Sequence, residues 1–248
     1  MKIIRLKEVD STNNYALNLV KKNLPGLPDI ITAENQDAGK GRLGKNWQSA
    51  PGKGLYCSII LQPRLAPADL AKSTLAAGLA VAAALEQEIK ELHISLKWPN
   101  DLICKGKKMG GILLETAFPA GGGSPYIIAG IGININNQQK DFNKQIKDTA
   151  TSLYLVTGRH FETENLLLPI YHQVREYITR LEQNDFAGLK HEWQQRDFLF
   201  GRNVKMVAVN KQVISGKAAG IDENGVLLVR DQGGRIHQIL SGDISLAD

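Results

Sequence analysis

The pattern of apolar and polar positions predicts strands and helices that alternate along most of the chain. Apolar and polar residues alternate from Ile3 to Val9, which is typical of a strand, and Asp10-Ser11-Thr12 then offers N-cap side chains for a short helix. The alanine- and leucine-rich segment Leu70–Leu92 has helical spacing and predicts the main buried helix. Further strands are predicted at residues 30–33, 55–61, 94–97, 111–116 and 126–133, a hairpin connection at 121–124, and closing helices at 163–184 and 186–196.

The pattern of apolar and polar residues changes near residue 200. Residues 201–248 show no helical period, and their short apolar runs (204–209, 213–219, 226–229 and 236–240) are separated by turn residues at Asn210, 222–225 and 231–234. A meander of this kind predicts a small SH3-like β-barrel. We therefore expect two domains, residues 1–198 and residues 199–248.

Composition narrows the class of protein. Of the 248 residues, 43% are hydrophobic and 22% charged, which is ordinary for a globular protein and excludes a disordered chain. There is no apolar run of about 18 residues and no signal peptide, so we expect a cytoplasmic protein without a membrane partner. Cys57 and Cys104 are too few for a disulfide framework or a cysteine metal site. The net charge of +5 suits a phosphate-bearing ligand or an acidic partner as well as nucleic acid.

The glycine-rich stretch 34–47 carries the strongest chemical signal. Gly39 to Gly44 fits the dinucleotide fingerprint, and Gly39 to Lys45 begins like a P-loop. Both motifs need a helix directly afterwards, whereas here a proline, two glycines and a strand follow. Three glycines still allow close approach of the backbone to a ligand, and the cations Lys40, Arg42 and Lys45 suit a phosphate. A solvated turn with incidental lysines is the alternative.

Three further stretches are compatible with a site. Lys97-Trp98-Pro99-Asn100-Asp101 presents an amide and a carboxylate at a strand end, where they could bind Mg²⁺ or form an ordinary β-turn. In 105–115 a lysine precedes a double glycine and a buried strand, so that it either reaches a ligand or forms a solvated hairpin tip. In 129–136 small residues leave room on one face of a strand that otherwise fits a core position.

In order and spacing, five motifs resemble the biotin–protein ligase (biotin–[acetyl-CoA-carboxylase] ligase) family. They are Ser11-Thr12-Asn13, Gln36–Arg42, Lys97–Asp101, Lys108–Glu115 and Gly130–Asn134. The resemblance spans about residues 3–196, and the predicted barrel fits the family's C-terminal domain. It implies an α+β fold with a mixed-sheet catalytic domain of the class II synthetase-like type.

The resemblance also implies a two-step reaction, in which ATP, with Mg²⁺ whose ligands stay unassigned, activates biotin as biotinyl-5′-AMP. A lysine of a biotin carboxyl carrier domain then accepts the biotin. Carried over residue by residue, the catalytic residues are Lys108 and Arg42, with Arg42 closing the loop over the adenylate. The biotin contacts are Ser11, Thr12, Asn13, Gln36, Gly39, Lys40, Gly41, Arg42, Lys108 and Gly111, and the nucleotide contacts are Trp47, Asn100, Asp101 and Asn134.

One position departs from the family pattern, because Lys40 stands where the loop commonly has arginine. Lysine keeps the charge but loses the two-pronged geometry, which weakens the case for a phosphate clamp there. The chain begins at the first predicted catalytic strand, so we expect a ligase that binds no DNA. A homodimer formed by pairing sheet edges is compatible with the resemblance.

Two competing functions remain at this point. A lipoate–protein ligase or octanoyltransferase shares the ancestral fold and related forms of two of the motifs, but the Gly39–Arg42 loop favours biotin. A non-catalytic nucleic-acid-binding protein is suggested by the net charge and the barrel, and disfavoured by the scarcity of aromatic residues in the basic stretches.

Overall fold

The fold, taken from a computed structural model that describes residues 1–207 and 213–247, is built on two β-sheets. The seven strands of the first are β1 (Ile3–Val9), β2 (Ile30–Gln36), β3 (Gly54–Leu61), β4 (Ser95–Lys97), β5 (Asp101–Cys104), β6 (Lys107–Ala117) and β7 (Tyr126–Asn134). Their order is β1-β2-β3-β7-β6-β5-β4, and only the β1–β2 pair is parallel. The helices are α1 (Thr12–Lys21), α2 (Lys72–Glu88), α3 (Leu153–Thr157), α4 (Thr163–Glu182) and α5 (Phe186–Arg196).

Helices cover both faces of this sheet. On one face the small side chains of α2 let it pack closely against α4 and the sheet, with Leu79, Val81 and Leu85 fully buried. On the other face α1 buries Ala16 and Val20 against apolar residues of β2, β3 and β7. None of the helices in the described ranges is long and apolar enough to cross a membrane.

The second sheet contains β8 (Asn203–Val207), β9 (Val213–Ile221), β10 (Leu227–Arg230), β11 (Ile236–Ile239) and β12 (Asp243–Leu246). All its pairs are antiparallel, in the order β11-β10-β9-β8-β12. Within the described residues β11 and β12 do not pair with each other, so the predicted barrel is an open sheet. The predicted turn at Asn210 and the end of the 204–209 run lie outside the described residues.

The two sheets share one apolar core. Gly225, in the turn before β10, fits closely against Leu75 of α2, and a β-carbon there would lie 2.7 Å from Leu75 Cδ1. The buried indole of Trp98 donates to Gly225 O at 2.9 Å. The α+β class with a mixed first sheet and an all-β C-terminal part is confirmed, and the domain boundary at 198/199 stays a prediction.

The structure corrects several predicted details. The helix predicted at 70–92 spans only 72–88, because Ile89 turns to extended backbone while Ile89 and Leu92 remain buried, so the apolar pattern outlasts the helix. Ser11 occupies the N-cap position of α1, but its side chain makes no capping hydrogen bond. The strand predicted from Gly111 begins at Lys107, and β5, β12 and α3 are additional elements.

Candidate active site

A cavity of about 1230 Å³ opens over the glycine-rich part of β6 and β7, in front of the N-terminus of α1. The segment after β2, the β4–β5 turn, residues 143–150 and the second sheet form its remaining walls. The predicted site residues on its lining are Ser11, Thr12, Asn13, Gln36, Lys40, Gly41, Arg42, Trp47, Asn100, Asp101, Lys108, Gly111 and Asn134. The structure thus brings together every predicted site residue except Gly39.

One end of the cavity is lined by neutral hydrogen-bonding groups. The Gln36 side-chain oxygen Oε1 accepts from the backbone N–H of Thr12 at 2.9 Å and lies 3.2 Å from Thr12 Oγ1. Gln36 Nε2 donates to Ser49 Oγ at 3.3 Å, and Ser11 is buried beside Thr12. The parallel β1–β2 pairing holds the start of α1 next to the end of β2, which is why motifs so distant in sequence meet.

Asn13 lies beneath this end rather than projecting into open space. Its Nδ2 donates to Leu113 O at 3.2 Å and to Glu115 Oε2 at 2.8 Å, and its side chain rests on the backbone of Gly130. A β-carbon at residue 130 would lie 2.3 Å from Asn13 Oδ1, so glycine is required there. Asn13 is only 3% exposed, and its amide is engaged by the protein itself.

The loop after β2 curls back on itself and closes one side of the cavity. Trp47 N donates to Gly39 O at 2.8 Å and Gly41 N donates to Lys45 O at 2.7 Å, while Gly44 has a left-handed φ of 74°. A β-carbon on Gly39 would lie 2.7 Å from Trp47 O, so Gly39 serves the loop's own packing. Gly39, predicted as a biotin contact, is not among the described residues that line the cavity.

Trp47 forms part of the cavity wall because glycines face it. Its ring packs on Gly111 of β6 and Gly132 of β7, which are direct cross-strand partners. A β-carbon on Gly132 would lie 2.6 Å from Trp47 Cε2. The ring is held by packing, since Trp47 Nε1 has no hydrogen-bond partner within the described residues. The cation of Lys108 lies 5.7 Å from the centre of the ring.

The far end of the loop is fastened to the body of the protein. The Tyr56 hydroxyl donates to Ala50 O at 3.1 Å and accepts from Ala50 N at 2.8 Å, and burial raises the pKa of Tyr56 to about 12. Lys53 pairs with Asp141 at 2.6 Å. Burial favours the neutral form of Asp141, but hydrogen bonds from Lys53 and from the Gln138 backbone outweigh it and lower the pKa of that carboxyl.

The other end of the cavity is rich in cations. Lys108 Nζ lies 2.6 Å from Asp101 Oδ1, and both side chains are partly exposed to the cavity, at 39% and 18%. Among the described residues of the lining, Asp101 is the only carboxylate, whereas the cations of the lining are Lys40, Arg42, Lys45, Lys97, Lys108 and Lys205. This excess of positive charge suits a polyphosphate.

Two predicted nucleotide contacts also support the walls. Asn100 Nδ2 donates to Ile112 O at 2.7 Å, and Asn134 Nδ2 donates to Thr151 O at 3.0 Å. Lys108 itself is held by its backbone, since Lys108 N donates to Thr149 O at 2.8 Å. The segment around Thr149 and Thr151 therefore positions the cationic end of the cavity.

Several site residues were not predicted from the sequence. Ser58, fully buried in β3, contacts Thr12 and Asn13, and Glu115 was predicted only as the end of a motif. Residues 143–150 and part of the second sheet line the cavity as well, including Lys205, Val207, Ile244 and Ser245. No local signal marks these positions, because the sheet topology and the packing of the C-terminal sheet bring them to the cavity.

Comparison with known proteins agrees with this architecture. Residues 6–134 match the biotin/lipoate A/B protein ligase family, and residues 199–247 match the biotin protein ligase C-terminal domain. The chain is 35% identical over 242 residues to the bifunctional ligase/repressor BirA of Bacillus subtilis, covering 96% of this chain and 72% of that protein. It is 29% identical over 236 residues to the biotin–[acetyl-CoA-carboxylase] ligase of Paracoccus denitrificans, covering 93% of this chain and 95% of the relative.

Among solved structures, the chain is similar to the biotin protein ligase from Aquifex aeolicus in complex with biotin and ATP. The TM-score is 0.83 at 36% sequence identity, with 99% of this chain and 98% of the Aquifex chain covered. This overlap extends through both sheets and confirms the predicted fold class.

Proposed function

The chain belongs to the biotin/lipoate A/B protein ligase family, and we propose that its large cavity is where biotin is joined first to AMP and then to a lysine of an acceptor protein. It is a biotin–[acetyl-CoA-carboxylase] ligase, with biotin and ATP as substrates. The observation that carries the assignment of the site is the polarity of the cavity, which has neutral hydrogen-bonding groups at Thr12 and Gln36 and a cationic end at Lys108.

In the first step a carboxylate oxygen of biotin attacks the α-phosphorus of ATP. The new P–O bond forms as the bond to the β-phosphate oxygen breaks, so pyrophosphate leaves and biotinyl-5′-AMP remains. The attacking carboxylate and the phosphates are all anionic, and the enzyme must therefore bring like charges together. Lys108 is the cation we assign to the oxygens around the reacting phosphorus.

The neutral end of the cavity suits the ring of biotin. The ureido group of biotin has two N–H donors and one C=O acceptor, which complement hydroxyl and amide groups. Ser11, Thr12 and Gln36 supply such groups at the N-terminus of α1 and the end of β2. With the ring there, the valeryl chain runs over the glycine floor at Gly111 towards Lys108.

The loop that carries Arg42 shields the intermediate. A mixed anhydride of a carboxylic acid and AMP hydrolyses if water reaches it, so a closed loop preserves it until the acceptor arrives. Arg42 lies on the three-residue turn Arg42–Gly44 and lines the cavity, a position from which its charge can hold the adenylate phosphate.

Asn100, Asp101, Asn134 and Trp47 form the wall that we assign to the nucleotide. The described residues contain no cluster of three or more histidine, cysteine or acidic side chains that could hold a metal ion. Mg²⁺ commonly binds through substrate phosphates and one or two carboxylates. Asp101 supplies a carboxylate on the described lining of the cavity, so the donor set fits a metal that arrives with ATP. When bound, Mg²⁺ would neutralise phosphate charge.

In the second step the amine of the acceptor lysine attacks the acyl carbon of the adenylate. An amide bond forms, the bond to the AMP oxygen breaks, and the amine gives up its proton. We assign Asp101, at the cationic end of the cavity, as the group that contacts this incoming lysine. The acceptor that we propose is a biotin carboxyl carrier domain. That the protein binds no DNA and that it forms a homodimer stay predictions.

The main alternative is a ligase for lipoate, since the matched family includes lipoate enzymes. The Paracoccus relative and the Aquifex structure are both named for biotin, which favours biotin. The test is ATP-dependent pyrophosphate release with biotin or lipoate as the acid, followed by mass analysis of a carrier domain with and without its target lysine. Release with biotin, and a biotinyl adduct that needs that lysine, are expected; release with lipoate alone would overturn the assignment.

A further inference from the structure

A chain of hydrogen-bonded polar side chains runs beneath the neutral end of the cavity. The number of protons that its members can donate determines the direction of its hydrogen bonds. It links Glu115, Asn13, Ser58 and Thr12, of which only Thr12 and Asn13 reach the cavity lining. Ser58 is fully buried in β3. We call these four side chains the relay.

The backbone beside Glu115 fixes the orientation of Asn13. The Leu113 carbonyl has no proton to donate, so the nitrogen of the Asn13 amide must face it, at 3.2 Å, and the same nitrogen then donates to Glu115 Oε2 at 2.8 Å. The amide oxygen then faces Ser58 Oγ at 2.6 Å and can only accept. The single hydroxyl proton of Ser58 is therefore committed to Asn13.

The same reasoning determines where the proton of Thr12 points. Thr12 Oγ1 lies 2.8 Å from Ser58 Oγ, and a contact this short between two hydroxyls needs a proton between them. Ser58 has none left, so Thr12 donates to Ser58. Gln36 Oε1 is farther from the Thr12 hydroxyl, at 3.2 Å, and already accepts the Thr12 backbone N–H at 2.9 Å.

From this ordering we propose that Ser58 is a positioning residue for biotin. By taking the proton of Thr12, it leaves the lone pairs of Thr12 Oγ1 as the group that meets the ligand, and lone pairs select an N–H donor such as that of the ureido ring. The inference rests on the proposed function and adds to it that Ser58, Asn13 and Glu115 act through Thr12.

The relay also connects the ring end to the loop. Lys40 Nζ lies 3.9 Å from the other oxygen of the Glu115 carboxylate, so the lysine that departs from the family pattern neighbours the relay's anionic end. Both side chains are partly exposed, and this pair is therefore weak. The direction of the relay does not depend on it, because Glu115 accepts from Asn13 whether Lys40 is present or absent.

The test is a double-mutant cycle between Ser58→Ala and Thr12→Val, read as KM for biotin, KM for ATP and kcat in pyrophosphate release. Ser58→Ala removes the acceptor that holds the proton of Thr12, which is then shared between Gln36 Oε1 at 3.2 Å and the ligand side. KM for biotin should therefore rise about three- to tenfold, the range of one misdirected hydrogen bond. The kcat and KM for ATP should stay within about twofold. In the Thr12→Val background, Ser58→Ala should add nothing, because the hydroxyl that it orients is gone.

Thr32→Val is the matched control. Thr32 is a buried hydroxyl in the neighbouring strand β2 that donates to Tyr56 O at 3.1 Å and takes no part in the relay. This variant should lose stability without a change in KM for biotin. If Ser58→Ala does not fold, Ser58→Cys keeps the shape with a weaker donor and acceptor and enters the same cycle.

The outcomes separate the two hypotheses. If the wild-type protein releases no pyrophosphate with biotin, the proposed function fails. If the wild type is active but the effects of the Ser58 and Thr12 variants on KM are additive, or Ser58→Ala raises both KM values alike, Ser58 is a packing residue and the relay is refuted.

Discussion

Replacement of Lys108 by methionine tests the electrostatic part of the proposed mechanism. Methionine keeps most of the aliphatic stem but removes the ammonium group, which lies 2.6 Å from Asp101 and over the Trp47 ring. We expect adenylate formation to fall steeply while the fold survives, because the backbone of Lys108 is held by Thr149 and Thr151 and does not depend on the side chain.

The size of the effect follows from the exposure of the site. The side chain of Lys108 is 39% exposed, so an effective dielectric constant of about 20 is appropriate. A unit charge about 4 Å from a phosphate oxygen then contributes about 4 kcal/mol. If most of this is felt in the transition state, kcat falls by about 10³-fold. The lost pair with Asp101 should cost only about 0.5 kcal/mol of stability, because it is partly exposed.

The assay is single-turnover formation of biotinyl-5′-AMP, with thermal unfolding measured in parallel. Lys107→Met is the matched control, since Lys107 carries the same charge at the adjacent position of β6 but is exposed outside the cavity lining. It should stay within about twofold of wild type. A Lys108→Met enzyme within tenfold of wild type, or an equal loss in Lys107→Met, would refute a local role for the Lys108 charge.

Two other changes test the loop and the junction between the sheets. Arg42→Gly should still release pyrophosphate, but free biotinyl-5′-AMP should dissociate at least about tenfold faster, because a charge-assisted contact to the phosphate is lost; retention equal to wild type in a filter-binding assay would contradict this. Asp197→Asn should change the pH dependence of stability. Burial raises the pKa of Asp197 above its usual 3.8, against hydrogen bonds from the backbone N–H groups of Leu199 and Phe200. The folded state therefore holds the Asp197 proton more tightly than the unfolded state does. As a result, the free energy of unfolding decreases as pH rises from about 4 through the raised pKa. Asparagine keeps an acceptor for Leu199 and cannot titrate. In urea unfolding, the free energy of unfolding of the variant should therefore change more favourably from pH 4 to pH 7 than that of the wild type. Identical changes in the two proteins would contradict the assignment.

Local patterns in the sequence predicted the bounds of those elements in which apolar residues recur with a regular strand or helix period. The alternation of Ile3–Val9 and the helical spacing of Phe186–Arg196 predicted both elements with the bounds found in the structure. The short strand β5 escaped prediction, because it begins at Asp101, within the Asn100-Asp101 pair that favours a turn. Lys105 and Gly106 close the β5–β6 hairpin with left-handed φ values of 48° and 77°, so the lysine-rich tip is a real turn, and Lys108 lies just inside it.

The sequence by itself supplied the candidate site residues. Through their resemblance to the biotin–protein ligase family, its ordered motifs predicted roles for residues such as Thr12, Gln36, Arg42 and Lys108. Only the tertiary structure decided which of the predicted residues line the cavity and which support its wall. Gly39 packs against its own loop, and the Asn13 amide is engaged beneath the cavity.

Ser58 shows the physical reason for that division. In sequence it is one small residue in an apolar strand, with no signal of function. Its importance arises from the strand order, which places β3 next to β2 and β7 and brings its hydroxyl within hydrogen-bonding distance of Thr12 and Asn13, 46 and 45 residues away. Hydrogen bonds act over about 3 Å, and sequence patterns report only neighbours along the chain, so long-range polar contacts are decided by the fold.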